Sequence, residues 1–427
     1  MTAEATAKSM TPDARLCPPS LKGAEWLERQ QTQAVFDALS ADGIETRAVG
    51  GAVRNALLKL PVTDIDLATT ATPDRVMALA EKAGLKAVPT GVEHGTVTIV
   101  ADGVPFEVTT LRRDVATYGR HADVAFTRDW DEDAKRRDFT LNALYVGGDG
   151  EVFDPLGGYG DLAARRVRFI GDAAQRIEED YLRILRFFRF QATYGTGALD
   201  PDGLRACVSL RAGLAKLSAE RIGGELRGIL IAPEARKAIE ALYDYGFLTG
   251  LLGGVPRLAD FVRLVGIEMA QGAAPSAALR LAVLAVWVKE DGPRLAQRLR
   301  LSNEEQAVLA LAPDEIVDPR LPDEAQAKAG LYCLGANAFR SYVLIAWARS
   351  GASPDDPAWA AALRLPDRWQ VPTFPLRGPD IMALGDISGP EIGRALRRLE
   401  QAWVEGGFAE DRESLLARAR SLVADAR

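Results

Sequence analysis

Strand-type alternation is confined to the first 158 residues of this chain, and that confinement restricts its fold more than any other feature. Short β-like runs occur at Thr46–Val49, Val97–Val100, Phe106–Thr110 and Ala143–Val146, with helical patterns such as Pro73–Lys82 between them. Pro73 after Thr72 reads as a helix start with Thr72 at the N-cap. After Gly158 apolar residues recur at helical spacing to the end of the chain, with almost no alternation. Turn clusters at Gly253–Pro256, Gly272–Pro275, Ala312–Asp314 and Gly351–Pro354 divide that stretch into helices. The fold class is therefore α+β, a small mixed head followed by an all-α remainder. At 427 residues the chain is too long for one core, and two to four domains are expected.

Composition excludes several classes of function. No apolar run approaches the ~20 residues of a membrane span. The apolar stretch Ala277–Val288 is short, is interrupted by Arg280, and reads as a core helix. Residues 1–20 contain no apolar signal core and read as a disordered extension. Cys17, Cys207 and Cys333 are far apart and form no CxxC pair, so neither a disulfide framework nor a zinc site is indicated, and a reducing cytoplasm fits. A net charge of −7 argues against non-specific coating of nucleic acid. Locally, residues 165–230 carry twelve Lys/Arg against eight Asp/Glu, so a basic surface can exist there. The stretch Asp114–Lys135 is polar and weakly periodic, and reads as a long connection, mobile in the free protein.

Three blocks carry the chemistry. The first is Gly50-Gly51-Ala52-Val53-Arg54-Asn55, followed by Asp64-Ile65-Asp66. A double glycine before a helix lets backbone N–H groups approach a phosphate, and Arg54, about one turn in, adds a charged fork. Gly-Gly alone is weak evidence, since six such pairs occur in the chain. In a strand, alternation places Asp64 and Asp66 on one face. Two carboxylates that close repel unless a cation lies between them, and hard oxygen donors with substrate phosphate suit Mg²⁺. The second block is Arg136-Arg137-Asp138-Phe139-Thr140-Leu141-Asn142-Ala143-Leu144. The third is Glu179-Asp180-Tyr181-Leu182-Arg183, continuing to Arg186 and Arg189. Steps of three on a helix align Asp180 with those three arginines along one slowly turning stripe.

Together these blocks resemble the class II CCA-adding enzyme and bacterial poly(A) polymerase family. Gly50–Asp66 is similar to its GGxVRDxLLxxxxxDxD signature, with Asn55 standing where the family usually has Asp. The second block resembles RRDxTxNAL, and the third resembles EDxxRxxR. Ser218-Ala219-Glu220-Arg221 with Glu225 resembles ERxxxE, which braces the third block's helix. The segment Gly91–Arg112 resembles the CCA-adding branch, because the basic run usual in poly(A) polymerases is absent. Gly378–Gly393 is similar to the family's C-terminal segment, with glycine-rich turns between short helices.

The resemblance implies a polymerase-β-type nucleotidyltransferase head with a mixed sheet, followed by a helical neck, body and tail. The expected boundaries are 21–150 for the head, 151–250 for the neck and 251–427 for the body and tail. It implies tRNA as partner, CTP and ATP as substrates, and Mg²⁺ held by Asp64 and Asp66, with Glu107 a candidate third catalytic carboxylate. Gly50, Gly51, Arg54, Arg137, Asn142, Asp180, Arg183, Arg186 and Arg189 would bind the nucleotide. Asp138, Glu179, Glu220 and Arg221 would support them. His94 and His121, the only histidines, are expected to be structural or to contact RNA. The Asp114–Lys135 stretch would take part in switching from C to A addition. Asp180 would accept from the exocyclic amino group of C or A, while Arg183 donates to the adjacent ring acceptor. Uracil would set O4 against the carboxylate, leaving both groups unpaired at a cost of ~1–3 kcal/mol. Enzymes that make poly(A), or add only CC or only A, are the related alternatives, and a non-catalytic RNA-binding protein is the alternative of another class.

Overall fold

A computed structural model describes residues 16–118, 121–384 and 389–424. The chain forms two compact units, Met1–Ala238 and Ile239–Arg427.

The first unit contains a seven-stranded sheet. Its strands are β1 (Thr46–Val49), β2 (Asp66–Thr69), β3 (Lys86–Gly91), β4 (Thr96–Ala101), β5 (Val104–Thr110), β8 (Tyr145–Val146) and β9 (Val152–Phe153). A separate pair is formed by β6 (Arg112–Tyr118) and β7 (His121–Phe126). The sheet order is β3-β4-β5-β2-β1-β8-β9. It is mixed as expected: β2 and β5 run parallel, with Asp66 opposite Glu107, and the other pairings are antiparallel. The helices Gln30–Leu39 and Pro73–Lys82 pack together and against this sheet. Thr72 takes the N-cap position, but its side chain makes no capping hydrogen bond.

Several sequence expectations are corrected. The Asp114–Lys135 stretch is not an open connection: β6 pairs with β7 and the helix Trp130–Lys135 follows. Val115, Thr117 and Tyr118 in the first strand and Val124 and Phe126 in the second are β-formers, but the charged run Arg112-Arg113-Asp114 and Asp123 mask them. The expected mobility falls partly on Gly119 and Arg120, outside the described residues. In the run Ala143–Val146 only Tyr145 and Val146 pair as a strand. Of the expected extension, residues 1–15 lie outside the described residues. Ser20 Oγ and Leu21 N–H both donate to the Gly150 carbonyl, at 3.0 and 2.8 Å.

The basic helix Leu182–Tyr194 packs on the helix Ala219–Ile231. An aromatic cluster fixes it to the second motif block. Phe139 lies 5.1 Å from Phe190 and 4.9 Å from Phe169 between ring centroids, and Phe169 stacks on Phe187 at 5.4 Å. Phe139 and Phe187 are fully buried.

The second unit is helical in its described residues. Its helix Ala277–Ala285 is buried from Leu279 onward, as its apolar pattern requires. Arg280 does not break it, because the guanidinium is buried against Glu268 at 2.6 Å. Gly253, Gly272 and Gly351 end helices in the left-handed conformation, at the turn clusters read from the sequence. Leu376, Ile381, Leu399, Trp403, Leu415 and Ala419 form a separate small core near the C-terminus. The two helices there are unequal: Gly378–Met382 is short, but Gly389–Glu405 has 17 residues and contains Gly393. Among the described residues no helix is long and apolar enough to cross a membrane.

Candidate active site

The phosphate side of the site begins where β1 turns into the helix Gly51–Leu57. Gly50 adopts φ +68°, a conformation costly for a side-chain-bearing residue. One turn on, Arg54 is 7% exposed yet lines a pocket of about 410 Å³. Its Nη1 donates to Asn142 Oδ1 at 2.5 Å, and its Nη2 donates to Tyr194 Oη at 2.7 Å. Nε and Nη2 both reach Asn55 Oδ1, at 3.2 and 3.0 Å. Burial draws the Arg54 pKa down, against the opposing effects of Tyr194 and Asp138.

The second block supplies the next layer. Asn142 Nδ2 donates to Asp138 Oδ1 at 2.9 Å, and Arg186 Nε donates to Asp138 Oδ2 at 2.8 Å. Burial alone would raise the Asp138 carboxyl. Arg186 and the hydrogen bonds from Asn142, Arg186 and the Phe139 N–H outweigh it and hold the group below its usual range. Arg137 donates to Tyr145 Oη at 3.1 Å and to Asp133 Oδ2 at 3.1 Å. The same carboxylate binds Arg136 at 2.7 Å and accepts from Tyr145 Oη at 2.8 Å. Burial opposes ionisation of Asp133, but Arg137 and Arg136 overcome it and bring its pKa to about 2.

The carboxylates behave differently. Asp66 opens β2 and lines the pocket, with Glu107 beside it in register on β5. Desolvation, then Glu107 and Asp64, push the Asp66 carboxyl above its ordinary pKa, with Arg137 opposing. Asp64 lies two residues before the strand, in exposed irregular chain, and accepts from Thr63 Oγ1 at 3.1 Å. Strand alternation therefore does not set its position relative to Asp66. Among the described residues no three His, Cys, Asp or Glu side chains are grouped to enclose an ion by themselves. Clustered negative charge with a partial donor set fits Mg²⁺, which takes few carboxylates and completes its shell with water and phosphate.

On the opposite side, Asp180 is not on the helix with Arg183. Its backbone is extended, with φ −154°, and the helix starts at Leu182. Asp180 Oδ1 accepts the Leu182 N–H at 3.1 Å. Arg221 forks onto both Asp180 oxygens, at 3.1 and 2.6 Å. Arg183 reaches Glu179 at 2.5 Å and the Arg176 carbonyl at 2.7 Å. Both residues still line the common pocket.

The pocket thus brings together Gly50, Gly51, Arg54, Asp66, Arg137, Asp138 and Asn142 with Asp180, Arg183, Arg186 and Arg221. Asp64, Glu107, Glu179, Arg189 and Glu220 do not line it. Arg189 instead pairs with the buried Glu225 at 2.7 Å, 3.8 Å from which stands Arg186. Glu179 stands behind Arg183 and also pairs with Arg176, while Glu220 is exposed. His94 is partly exposed, and its carbonyl accepts from Arg112; His121 lies on β7. Sequence reading missed two residues that orient the site, Asp133 and Tyr194. The first had a signal, spacings of three and four to Arg136 and Arg137. The second continues the Arg186–Phe190–Tyr194 helical row, a pattern too common to single it out.

Residues 46–168 match the family described as Poly A polymerase head domain, and residues 198–261 match Probable RNA and SrmB- binding site of polymerase A. The chain is 36% identical to human CCA tRNA nucleotidyltransferase 1, mitochondrial, over 87% of this chain and 86% of that protein. It is 32% identical to the CCA-adding enzyme of Limosilactobacillus fermentum, over 93% of this chain and 98% of that one. Its fold is similar to the crystal structure of Bacillus stearothermophilus CCA-adding enzyme in complex with CTP. The TM-score is 0.74 and the identity 29%, covering 93% of this chain and 98% of the other.

Proposed function

The chain belongs to the CCA-adding enzyme family, and on that premise we propose that it adds C, C and A to the 3′ end of tRNA from CTP and ATP, releasing pyrophosphate. The observation that carries this reading is the single pocket shared by the three motif blocks. Guanidiniums at Arg54, Arg137 and Arg186 face the triphosphate. The Gly50–Gly51 backbone lies beside them, where N–H groups approach phosphate without side-chain obstruction. Asp180 and Arg183 read the base edge, oriented by Arg221 and Glu179. The tRNA 3′-hydroxyl oxygen attacks the α-phosphorus, the bond to the β-phosphate oxygen breaks, and pyrophosphate leaves.

Asp64 and Asp66, with Glu107 as a third candidate, are the residues we assign to a Mg²⁺ pair. When bound, the pair supplies activation of the 3′-hydroxyl and stabilises charge on the α-phosphate and leaving pyrophosphate. Head, neck and body keep the boundaries 21–150, 151–250 and 251–427 as our proposed division. The cytoplasm is the compartment we infer, consistent with free Cys17, Cys207 and Cys333.

The test is incubation with tRNA lacking its 3′ end, Mg²⁺ and each nucleoside triphosphate in turn, followed by product sequencing. Addition of CCA and nothing longer supports the reading. A homopolymer of A, CC alone, A alone or no product overturns it. We also assign the switch from C to A addition to the stretch Asp114–Lys135. Shortening it should spare C addition more than A addition, and equal loss with the fold intact would reject that assignment.

A further inference from the structure

Among the described arginines that line the pocket, Arg54 is the one whose hydrogen-bond acceptors are all uncharged. Arg136 and Arg137 pair with Asp133, Arg183 with Glu179, Arg186 with Asp138 and Arg221 with Asp180. Arg54 is received by Asn142, Asn55 and Tyr194. The nearest acid in this network, Asp138, is already engaged by Arg186, by Asn142 and by the Phe139 N–H.

Two details show that this arrangement is built. The Asn55 amide is oriented by its own Nδ2, which donates to the Pro61 carbonyl at 2.9 Å, so Oδ1 faces the guanidinium. A carboxylate there would set an oxygen against that carbonyl and lose the bond. Tyr194 contributes twice: its hydroxyl accepts from Nη2, and its ring centroid lies 4.0 Å from the guanidinium carbon. Phe190 adds a second ring at 5.3 Å. Neutral acceptors and aromatic faces fix a guanidinium in place while leaving its net charge intact.

We propose that Asn55 and Tyr194 are positioning residues that hold Arg54 in the pocket without neutralising it, leaving its full charge for the triphosphate of the incoming nucleotide. The inference rests on the reading that the triphosphate occupies this pocket. Asn55 stands where the resemblance expects Asp, and an uncharged acceptor there adds no negative charge beside Arg54.

The experiment uses the full chain with inorganic tripolyphosphate as probe, measured by calorimetry, alongside KM and kcat for CTP and ATP. Asn55→Asp places a carboxylate side-on to Arg54. Tripolyphosphate affinity should fall on the order of tenfold, the scale of one added, partly screened charge. KM for CTP and ATP should rise together while kcat, the tRNA KM and the choice of C over U stay near parental values. Tyr194→Phe keeps the ring and removes the acceptor, so it should produce a smaller loss in the same direction. An Asn55→Asp protein with a parental melting curve that binds tripolyphosphate as tightly as the parent overturns the inference and leaves the pocket reading standing. So does a rise in KM for only one nucleotide, since a phosphate effect cannot distinguish bases. A parent that fails to bind tripolyphosphate overturns the pocket reading itself, and the inference with it.

Discussion

On the arginine wall of the pocket, guanidiniums are held by buried or half-buried carboxylates and hydroxyls, and Asp133 and Asp138 ionise more readily than free aspartate. On the strand wall, Asp66 stands beside Glu107 and near Asp64, and its carboxyl ionises less readily than free aspartate. The same residue type is pushed in opposite directions within one pocket. The arginine wall is complete as folded, so its geometry is preorganised before any ligand arrives. The strand wall is short of positive charge, which suits the Mg²⁺ assignment proposed above. Differences of this kind separate groups that hold a substrate from groups that act on it.

The largest expected effect comes from removing the unsatisfied wall. Asp66→Ala should reduce nucleotide addition by ~10³-fold or more, the several kcal/mol that metal assistance supplies, while tRNA binding is retained. Near-parental turnover in Mg²⁺ would remove the strand wall from the chemistry.

Asp133 tests the satisfied wall. Asp133→Ala leaves Arg136 and Arg137 without their shared carboxylate and should destabilise the fold by about 3–5 kcal/mol. The Asp133 pKa is depressed to about 2. Its contribution is therefore full above the unfolded value and disappears as pH falls through about 2. Parental protein should lose about 2 kcal/mol of stability across that window, and Asp133→Asn should lack that loss. Denaturant titrations between neutral and strongly acidic pH measure both. Identical acid limbs for parent and Asp133→Asn would contradict the assignment.

Base choice is the next step down. Asp180→Ala should weaken discrimination against UTP by about ten- to a hundredfold, for a loss of ~1–3 kcal/mol, and lower the overall rate. Because Arg221 also loses its partner, Asp180→Asn is the cleaner comparison. Its amide can donate to uracil O4 and occupies the same volume. Competition among CTP, ATP, UTP and GTP reads the ratios, and a variant as strict as its parent returns Asp180 and Arg183 to a purely structural ion-pair role.

The smallest effect concerns the cause of the Asp66 shift. In metal-free protein, carboxyl NMR should show Asp66 titrating above the ordinary carboxylate range. Glu107→Gln removes the leading charge contribution, and the midpoint should move down toward that range, by less than about one pH unit. A midpoint that does not move would mean that Glu107 does not contribute, leaving desolvation and Asp64 as the causes.

Much of this site was legible because its signals are local. Gly50-Gly51, the Arg136-Arg137-Asp138 run and the arginines on Leu182–Tyr194 are patterns within a turn or two of chain, and all three meet in one pocket. The strands β4 and β5 were legible for the same reason, since alternation over four or more residues reports a half-buried face. The β6–β7 pair was not, because the consecutive charges Arg112-Arg113-Asp114, with Asp123 in the second strand, imitate a loop. Nor was the place of Asp180, since a regular spacing of three does not reveal that the helix starts two residues later.

The sequence by itself determined which residue types were available and the local elements that carry them: the mixed head, the helical remainder and the motif blocks. Tertiary structure alone decided the long-range pairings: Arg221 with Asp180, Glu107 beside Asp66 through a parallel strand pair, and Tyr194 against Arg54 across 140 residues. The physical reason is range. Propensity and periodicity act over a few residues, whereas ion pairs, desolvation and cation–π contacts depend on distance in space, which sequence separation does not encode.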